Sequence, residues 1–285
     1  MLSDGELNAA RDTIRRGLEE DLRYGPDVTT LATVPTGAVA TASMVPREPG
    51  VIAGVDVALL VLDEVLGVDG YRVLDRVEDG ARLRPGESLL TVQAKTRGLL
   101  TAERTALNLI CHLSGIATAT AAWVDAVHGT RAKIRDTRKT LPGLRVLQKY
   151  AVRVGGGVNH RLGLGDAALI KDNHVAAAGG VAKAIAAVRG AAPDVPLEVE
   201  CDTLAEVRES LEAGARFILL DNMSDDELRA AVAVARRYSG VRLEASGGLR
   251  LETARAVALC GVDYLSVGAL THSSPALDLG LDFTD

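Results

Sequence analysis

The hydrophobic pattern of the chain changes at about residue 131. Before that point, strand-like pieces are followed by long stretches with helical spacing. After it, short apolar runs of four or five residues alternate with amphipathic segments of helical period. Short continuous apolar runs predict strands that are covered on both faces, as in a parallel sheet flanked by helices. We therefore predict two domains, 1–112 and 113–285, with the C-terminal tail as a candidate to pack back on the first.

The first part of the chain predicts a mixed α/β arrangement. Pro85 and Gly86 indicate a turn between two of its strands. A long helical stretch follows at 99–127, and Gly115 within it predicts a break or a bend. The other predicted elements are strands at 38–45, 71–77 and 88–94 and a helix at 54–66.

The second part predicts repeated βα units, which form a parallel sheet when their crossovers are right-handed. The region between residues 131 and 270 is too short for an eight-stranded barrel, which typically takes about 250 residues. We therefore predict an incomplete parallel α/β barrel of six or seven strands. The predicted strands are 132–136, 167–171, 197–200, 217–221, 242–246 and 264–268, and the helices include 177–189, 203–213, 224–237 and 250–260.

Composition and charge exclude several classes of partner. The net charge of −6 argues against a nucleic acid or an anionic membrane, since either would require a basic face. The start of the chain lacks the apolar core of a signal peptide, and no apolar run approaches the roughly 20 residues that span a bilayer. Cys111, Cys201 and Cys260 form no zinc or disulfide pattern, which predicts a cytoplasmic location.

Charged residues and glycines follow the predicted strands at their carboxyl ends, where parallel barrels carry their catalytic groups. Cations there can neutralise carboxylates or phosphates. Carboxylates can face Mg²⁺, directly or through water, or a developing sugar cation. Glycines let backbone N–H groups approach a phosphate. The strand ends, 21 to 33 residues apart, carry Arg138 with Lys139, then Lys171, Glu200, Asp221, Ser246-Gly247-Gly248 and Gly268.

The glycine-rich loop 155–166 contains two further anion-binding candidates, His160 and Arg161. A loop that precedes a strand should lie at the opposite end of a barrel from the catalytic rim. Either residues 158–162 form a seventh strand or the loop crosses to the rim.

Each candidate also has an ordinary interpretation. A single lysine or aspartate at a strand end is commonly just solvated, and Glu200 could be a structural ion-pair partner of Lys171. Lys171 could alternatively be a Schiff-base lysine of an aldolase-like barrel. Arg104, beside Glu103, is typical of a surface helix. Only the joint occurrence of these groups at successive strand ends favours a functional site.

Segments from about residue 17 to about residue 274 resemble the quinolinate phosphoribosyltransferases, also called nicotinate-nucleotide pyrophosphorylases (carboxylating). They include TAERTALNLICHLSGIAT, RDTRKTLPGLR, GGGVNHRLGLGDAALIKDNH, LEVE, LLDNM, EASGG and SVGALTHS, in the family's order. The resemblance implies transfer of a phosphoribosyl group from phosphoribosyl pyrophosphate to quinolinate. The products would be nicotinate mononucleotide for NAD biosynthesis, CO₂ and pyrophosphate, with Mg²⁺ as cofactor. It also implies an N-terminal open-faced α/β sandwich before the incomplete barrel.

The resemblance further implies a homodimer, with higher oligomers possible, in which Arg104 is lent to the active site of the partner subunit. Thr137, Arg138, Lys139, His160, Arg161 and Lys171 would bind quinolinate, and Lys139 or Lys171 would lie near the reacting atoms. Glu200 and Asp221 would lie beside the ribose and the metal. The 5′-phosphate would be held by Ser246, Gly247, Gly248, Val267, Gly268 and Ala269.

Two related alternatives stay open at this point. One is a phosphoribosyltransferase that takes nicotinate, although a single carboxylate requires fewer cations than this sequence offers. The other is a non-catalytic relative, such as the paralogue associated with molybdate transport, which keeps the fold without turnover.

Overall fold

The computed structural model describes residues 2–284 and divides into two compact units that are interleaved in sequence. The first unit contains the chain up to Ala121, Thr140–Gly156 and the residues from Leu270 onward. The second unit contains Ala122–Lys139 and Gly157–Ala269. A boundary after residue 112 lies inside a long helix, Thr96–Ala126.

The elements follow one another as a mixed α/β chain. The first nine are α1 (Asp4–Leu22), α2 (Val28–Thr33), β1 (Val39–Pro46), β2 (Gly50–Val51), α3 (Val55–Leu66), β3 (Tyr71–Arg76), β4 (Arg82–Leu83), β5 (Leu90–Lys95) and α4 (Thr96–Ala126). The rest are β6 (Lys133–Arg135), α5 (Arg145–Val154), β7 (Ala168–Ile170), α6 (Asp172–Ala178), α7 (Val181–Ala191), β8 (Leu197–Cys201), α8 (Leu204–Glu212), β9 (Phe217–Asp221), α9 (Asp225–Ala235), β10 (Arg242–Ser246), α10 (Ala254–Leu259), β11 (Tyr264–Ser266), α11 (Ala269–His272) and β12 (Leu279–Thr284).

The first unit is built on an antiparallel sheet with the strand order β12-β1-β5-β3. On β5, Leu90, Val92 and Ala94 are buried, whereas Gln93 and Lys95 are exposed. This alternation is typical of an antiparallel sheet with only one face covered, which is the open-faced sandwich that we predicted. The C-terminal residues, for which no strand was predicted, form β12 and pair with β1.

Helix α4 runs without interruption through Gly115, so the predicted break at this residue is wrong. A Cβ atom at Gly115 would lie 2.0 Å from the carbonyl oxygen of Pro275 and 2.9 Å from Cα of Ala276. The chain passes this close because the Leu277 N–H donates a hydrogen bond to the Cys111 carbonyl, at 3.0 Å. Gly115 therefore serves a close packing contact rather than a bend.

Within residues 2–284, α4 is the one helix long and apolar enough to cross a membrane, with a mean hydropathy of 1.3 in its most apolar stretch. The apolar runs of the sequence predict no such stretch, and the structure differs from that prediction. Because 56% of this stretch is buried inside the protein, α4 has the character of a core helix.

The second unit contains a parallel sheet of six strands in the order β6-β11-β10-β9-β8-β7. All six strands predicted for this part of the chain are confirmed. Val158 forms a single parallel bridge with Arg135 beyond β6, while β7 lies at the other edge of the sheet. The unit is thus an incomplete parallel barrel, as predicted.

Two predicted helices of this unit differ in detail from the structure. The segment 177–189 spans parts of α6 and α7, which are separated by Gly179 and Gly180, both with positive φ. A glycine pair of this kind ends a helix because it adopts left-handed backbone without a side-chain clash. The segment 250–260 begins with a 3₁₀ turn, Leu251–Thr253, before α10.

Candidate active site

A cavity of about 350 Å³ lies at the carboxyl ends of the strands of the second unit. It brings together nine of the residues predicted for the site from six separate stretches of the chain. Its lining consists of Thr137, Arg138, Lys139, His160, Arg161, Leu169, Lys171, Glu200, Leu219, Asp221, Glu244, Ser246 and Ser266.

The two-residue period of a strand explains which side chains reach this cavity. Leu219 and Asp221 on β9, and Glu244 and Ser246 on β10, are pairs two residues apart, and all four line the cavity. Each strand therefore contributes one residue to the rim and one residue deeper inside the barrel.

Two arginines in the cavity have the properties of an anion site. The Nε atom of Arg138 is buried and has no hydrogen-bond partner in the described structure. Arg161 donates from Nη1 to the Ala167 carbonyl at 2.9 Å. Burial lowers the pKa of the Arg161 guanidinium, and the positive charge of Arg138 lowers it further. An anion between these two cations would satisfy the buried donor and relieve their repulsion.

Lys171 forms an ion pair with Glu200 at the rim, through Nζ and Oε2. The interpretation of Glu200 as an ion-pair partner of Lys171 is therefore confirmed. Glu200 is largely buried while Lys171 remains partly exposed, so the ammonium group is held at the cavity surface. Lys139 lies at the same rim and is exposed, and its N–H donates to the Thr137 hydroxyl at 3.0 Å.

Asp221 is oriented by the residue that follows it. The Asn222 amide donates from Nδ2 to Oδ2 of Asp221 at 2.6 Å. Asn222 has φ 54° and is the one non-glycine residue with positive φ in the part of the chain described. The backbone turns sharply here and its N–H donates to the Ser246 carbonyl at 3.0 Å. Asp221 therefore has one carboxylate oxygen engaged by the protein.

The loop that contains His160 reaches the rim by way of a short parallel pairing. The Val158 N–H donates to the Ile134 carbonyl at 2.8 Å, and the Asp136 N–H donates to the Val158 carbonyl at 3.2 Å. The His160 N–H then donates to Oδ1 of Asp136 at 2.7 Å. Both open interpretations of this loop are thus partly right, because a minimal seventh strand carries His160 to the catalytic end.

A buried charged cluster lies next to His160, and the sequence reasoning missed it. Its members are two carboxylates, Glu198 and Glu244, and the guanidinium of Arg135. Arg135 donates to Glu244 and lies 3.8 Å from Glu198. Ser266 also donates its hydroxyl hydrogen to Glu244. The only trace of this cluster in the sequence is an acidic residue between two apolar neighbours in β8 and in β10, a pattern that also fits an exposed edge position.

The carboxylates of this cluster hold protons more strongly than exposed ones do. Burial raises the pKa of Glu198 to about 7, although Arg135 opposes the shift. Burial, together with the charge of Glu198, also raises the pKa of Glu244 to about 7, again opposed by Arg135. The guanidinium stacks 4.9 Å from the ring centre of Phe217 and 5.2 Å from that of Tyr264, which fixes it in place.

This cluster is not suited to a metal ion, although ligand atoms of His160, Glu198 and Glu244 all lie within 4.8 Å of one another. A fixed cation, Arg135, already binds the carboxylates, and because the cluster is buried away from solvent, unlike the rim, a divalent ion beside it would be strongly repelled.

The remaining predicted residues are less closely tied to the cavity. Ser246 lines it, and Gly247 and Gly248 follow with φ 88° and 57°. Val267, Gly268 and Ala269 follow Ser266 in the chain, and the Val267 N–H donates to the Arg135 carbonyl at 2.9 Å. Their binding of a phosphate stays a prediction. Arg104 is exposed on α4 in the first unit and is not among the residues that line the cavity.

Comparisons with known proteins agree over almost the full length of the chain. Residues 27–114 match the N-terminal domain of quinolinate phosphoribosyl transferase, and residues 116–282 match its C-terminal domain. The chain is 71% identical to nicotinate-nucleotide pyrophosphorylase [carboxylating] of Mycobacterium leprae, over 99% of this chain and 100% of that protein. It is 40% identical to quinolinate phosphoribosyltransferase [decarboxylating] 1 of Nicotiana glauca, over 95% and 81% of the two chains.

A solved structure gives the same result for the fold. The nicotinate-nucleotide pyrophosphorylase of Francisella tularensis superposes with a TM-score of 0.92 at 37% identity, covering 97% of this chain and 96% of that one. Both domains, their order along the chain and the residues at the barrel rim therefore lead to one conclusion: the chain belongs to the quinolinate phosphoribosyltransferase family.

Proposed function

We propose that this protein transfers the phosphoribosyl group of phosphoribosyl pyrophosphate to quinolinate and releases pyrophosphate and CO₂. The product is nicotinate mononucleotide, a precursor of NAD. The observation that supports this most strongly is the buried Nε of Arg138, which has no hydrogen-bond partner within residues 2–284 and lies beside the guanidinium of Arg161. Quinolinate carries two adjacent carboxylates on a pyridine ring, so it offers two planar anionic groups to two planar cations.

The cavity residues suit the first chemical step. The pyridine nitrogen attacks the ribose carbon while pyrophosphate leaves, and positive charge develops on the sugar. Carboxylates fixed in advance near this charge stabilise the transition state more than the ground state. We assign this role to Glu200 and Asp221, which lie on adjacent strands and are held by Lys171 and Asn222.

The second step is decarboxylation. Once the ring nitrogen carries the ribose, it is cationic and stabilises the electron pair that the breaking bond to the 2-carboxylate leaves on ring carbon 2. CO₂ departs as this bond breaks, and the carbanion left at ring carbon 2 then takes a proton from a rim lysine or from water. We propose that Lys139 or Lys171, both at the rim of the cavity, lies near this carbon.

We also propose Mg²⁺ as the cofactor, held by Glu200 and Asp221 directly or through water. Carboxylate oxygens are the ligands that Mg²⁺ prefers, and both groups lie at the mouth of the cavity. The hydrogen bond from Asn222 engages Oδ2 of Asp221, which leaves Oδ1 as the candidate ligand atom. When bound, the ion supplies positive charge to the leaving pyrophosphate.

We further propose a homodimer in which Arg104 enters the active site of the partner subunit, and a cytoplasmic location. The exposure of Arg104 on α4 supports the first proposal. The free state of Cys111, Cys201 and Cys260 supports the second, because thiols persist in a reducing compartment.

The rival activities differ in what they require of the cavity. A nicotinate-specific enzyme binds one carboxylate and needs fewer cations than this cavity offers. A Schiff-base aldolase needs a neutral lysine amine, whereas the amine of Lys171 is ion-paired with Glu200. A non-catalytic relative would keep the fold but show no turnover.

Ligand binding by Arg161→Ala tests the proposed pocket. Losing one partner of a desolvated anion costs about 2–5 kcal/mol, so calorimetry should show a large loss of quinolinate affinity. The affinity for phosphoribosyl pyrophosphate should change far less. An equal loss for both ligands, or no loss for either, contradicts the assignment.

A further inference from the structure

His160 uses both nitrogens of its imidazole ring within the protein. Nδ1 accepts a hydrogen bond from the backbone N–H of Arg161 at 2.7 Å. Nε2 lies 3.2 Å from Oε2 of Glu198 and 3.6 Å from Oε1 of Glu244. An acceptor nitrogen carries no hydrogen, so the ring hydrogen belongs to Nε2 and points to the carboxylates. His160 lines the cavity, yet its polar atoms are directed elsewhere.

The hydrogen bond to Nδ1 positions the backbone of Arg161, the residue proposed to bind quinolinate. Arg161 follows His160 directly, and its backbone N–H has the imidazole as its hydrogen-bond partner. Its side chain is fixed at the other end by the Ala167 carbonyl. The position of the imidazole therefore determines where the Arg161 backbone lies, and with it the base of the Arg161 side chain.

The carboxylates beneath the ring determine where the imidazole lies. His160, Glu198 and Glu244 are all at least nine-tenths buried, so none can be repositioned by solvent. Glu244 is itself held by Arg135 and by the Ser266 hydroxyl. The contacts are thus continuous from the barrel interior to the backbone of Arg161. They start from one residue on each of β6, β8, β10 and β11 and pass through the imidazole of His160.

We propose that His160 and Glu244 are positioning residues for Arg161, and that the imidazole does not itself bind the substrate. This inference rests on the proposed function, because it assumes that Arg161 binds quinolinate. It replaces the predicted role of His160 as a direct quinolinate ligand.

A double-mutant cycle separates positioning from direct binding. Quinolinate affinity is measured by calorimetry for the full-length wild type, His160→Ala, Arg161→Ala and the double variant. We expect His160→Ala to weaken binding at least tenfold in the wild-type background and less than twofold in the Arg161→Ala background. If the two losses multiply, the imidazole binds quinolinate directly and the inference is wrong.

A conservative variant keeps the test decisive even if His160→Ala is unstable. The side-chain oxygen of asparagine can replace Nδ1 as the acceptor for the Arg161 N–H. His160→Asn should therefore retain quinolinate affinity within about threefold of wild type, because the hydrogen bond that positions Arg161 is kept. A loss with His160→Asn as large as with His160→Ala overturns the inference, provided that circular dichroism shows both variants folded.

Glu244→Gln tests the lower part of the cluster in the same way. The amide can still accept from Ser266 but lacks the charge that holds Arg135 and the ring. We expect it to lower quinolinate affinity several-fold in wild type and to have no effect in Arg161→Ala, with phosphoribosyl pyrophosphate affinity unchanged in both. An undiminished effect in Arg161→Ala contradicts the positioning role. If wild type itself binds no quinolinate, the proposed function fails instead.

Discussion

At the scale of single residues, Asn222 combines a strained backbone with a contact to a proposed catalytic carboxylate. Its left-handed conformation places the side-chain amide on Asp221. Strain of this kind persists where the surrounding structure holds it, and functional sites are where it is commonly found.

Two substitutions of Asn222 separate the strain from the contact. Asn222→Gly keeps the left-handed backbone but removes the amide, so we expect a lower kcat with little change in stability. Asn222→Ala also loses the amide but keeps a Cβ in the left-handed region, where alanine lacks the local hydrogen bond that offsets a cost of about 1–2 kcal/mol. Urea unfolding should therefore find the alanine variant less stable than the glycine variant, with similar kcat values. Equal stability of the two variants contradicts the strain at this position.

The buried carboxylates make a prediction about pH. The pKa of Glu244 is about 7 in the folded protein and near its ordinary value of 4.5 when unfolded. Between these values the folded state binds more protons, so this group makes the protein less stable as pH rises from 4.5 to 7. Below 4.5 its contribution is constant.

Glu244→Gln removes this titration. The free energy of unfolding of the variant minus that of wild type should therefore be larger at pH 8 than at pH 5. The increase should be about 1 kcal/mol or more, as judged by urea unfolding. Glu48→Gln, at an exposed position of the first unit, is the matched control and should show no such difference. If the stability of wild type and of Glu244→Gln depends on pH in the same way, the raised pKa of Glu244 is contradicted.

Residue-level prediction from the sequence found the rim but not what supports it. Lys171, Glu200 and Asp221 were found because each follows an apolar run that ends in a charge. Glu198 and Glu244 were missed because an acid within a strand is indistinguishable from an exposed edge position until the barrel closes around it.

At the scale of elements, glycines on two helices should respond oppositely to the same substitution. Gly115→Ala in α4 should destabilise the first unit because its Cβ would meet Pro275 and Ala276 at 2.0 and 2.9 Å. A Cβ at Gly190 in α7 would meet no atom of the described chain within 4 Å, so Gly190→Ala should stabilise slightly, by up to about 1 kcal/mol, through better helix propensity. Thermal unfolding distinguishes the two. A neutral Gly115→Ala contradicts the packing explanation.

The elements found from the sequence were those with a regular pattern. The six parallel strands were predictable because both of their faces are covered. Helix α5 was missed because Gln148 and Lys149 are polar yet fully buried, which obscures its apolar face. Strand β12 was missed because its pairing partner, β1, is more than 200 residues away.

At the scale of the whole molecule, the proposed exchange of Arg104 between subunits can be tested by mixing. Arg104→Ala and Lys171→Ala should each be inactive. After joint unfolding and refolding, about half of the dimers are hybrids, and each hybrid has one site with both defects and one with neither. Activity should return to about a quarter of wild type. No recovery, with hybrids verified by tagged pull-down, contradicts the shared site.

The central claim is that quinolinate loses its 2-carboxylate as it receives the phosphoribosyl group. The most direct measurement follows quinolinate labelled with ¹³C in that carboxylate, in the presence of phosphoribosyl pyrophosphate and Mg²⁺. The account predicts one labelled CO₂ for each unlabelled nicotinate mononucleotide, and no release when phosphoribosyl pyrophosphate is omitted. Turnover of nicotinate but not of quinolinate, or nucleotide formation without labelled CO₂, would contradict it.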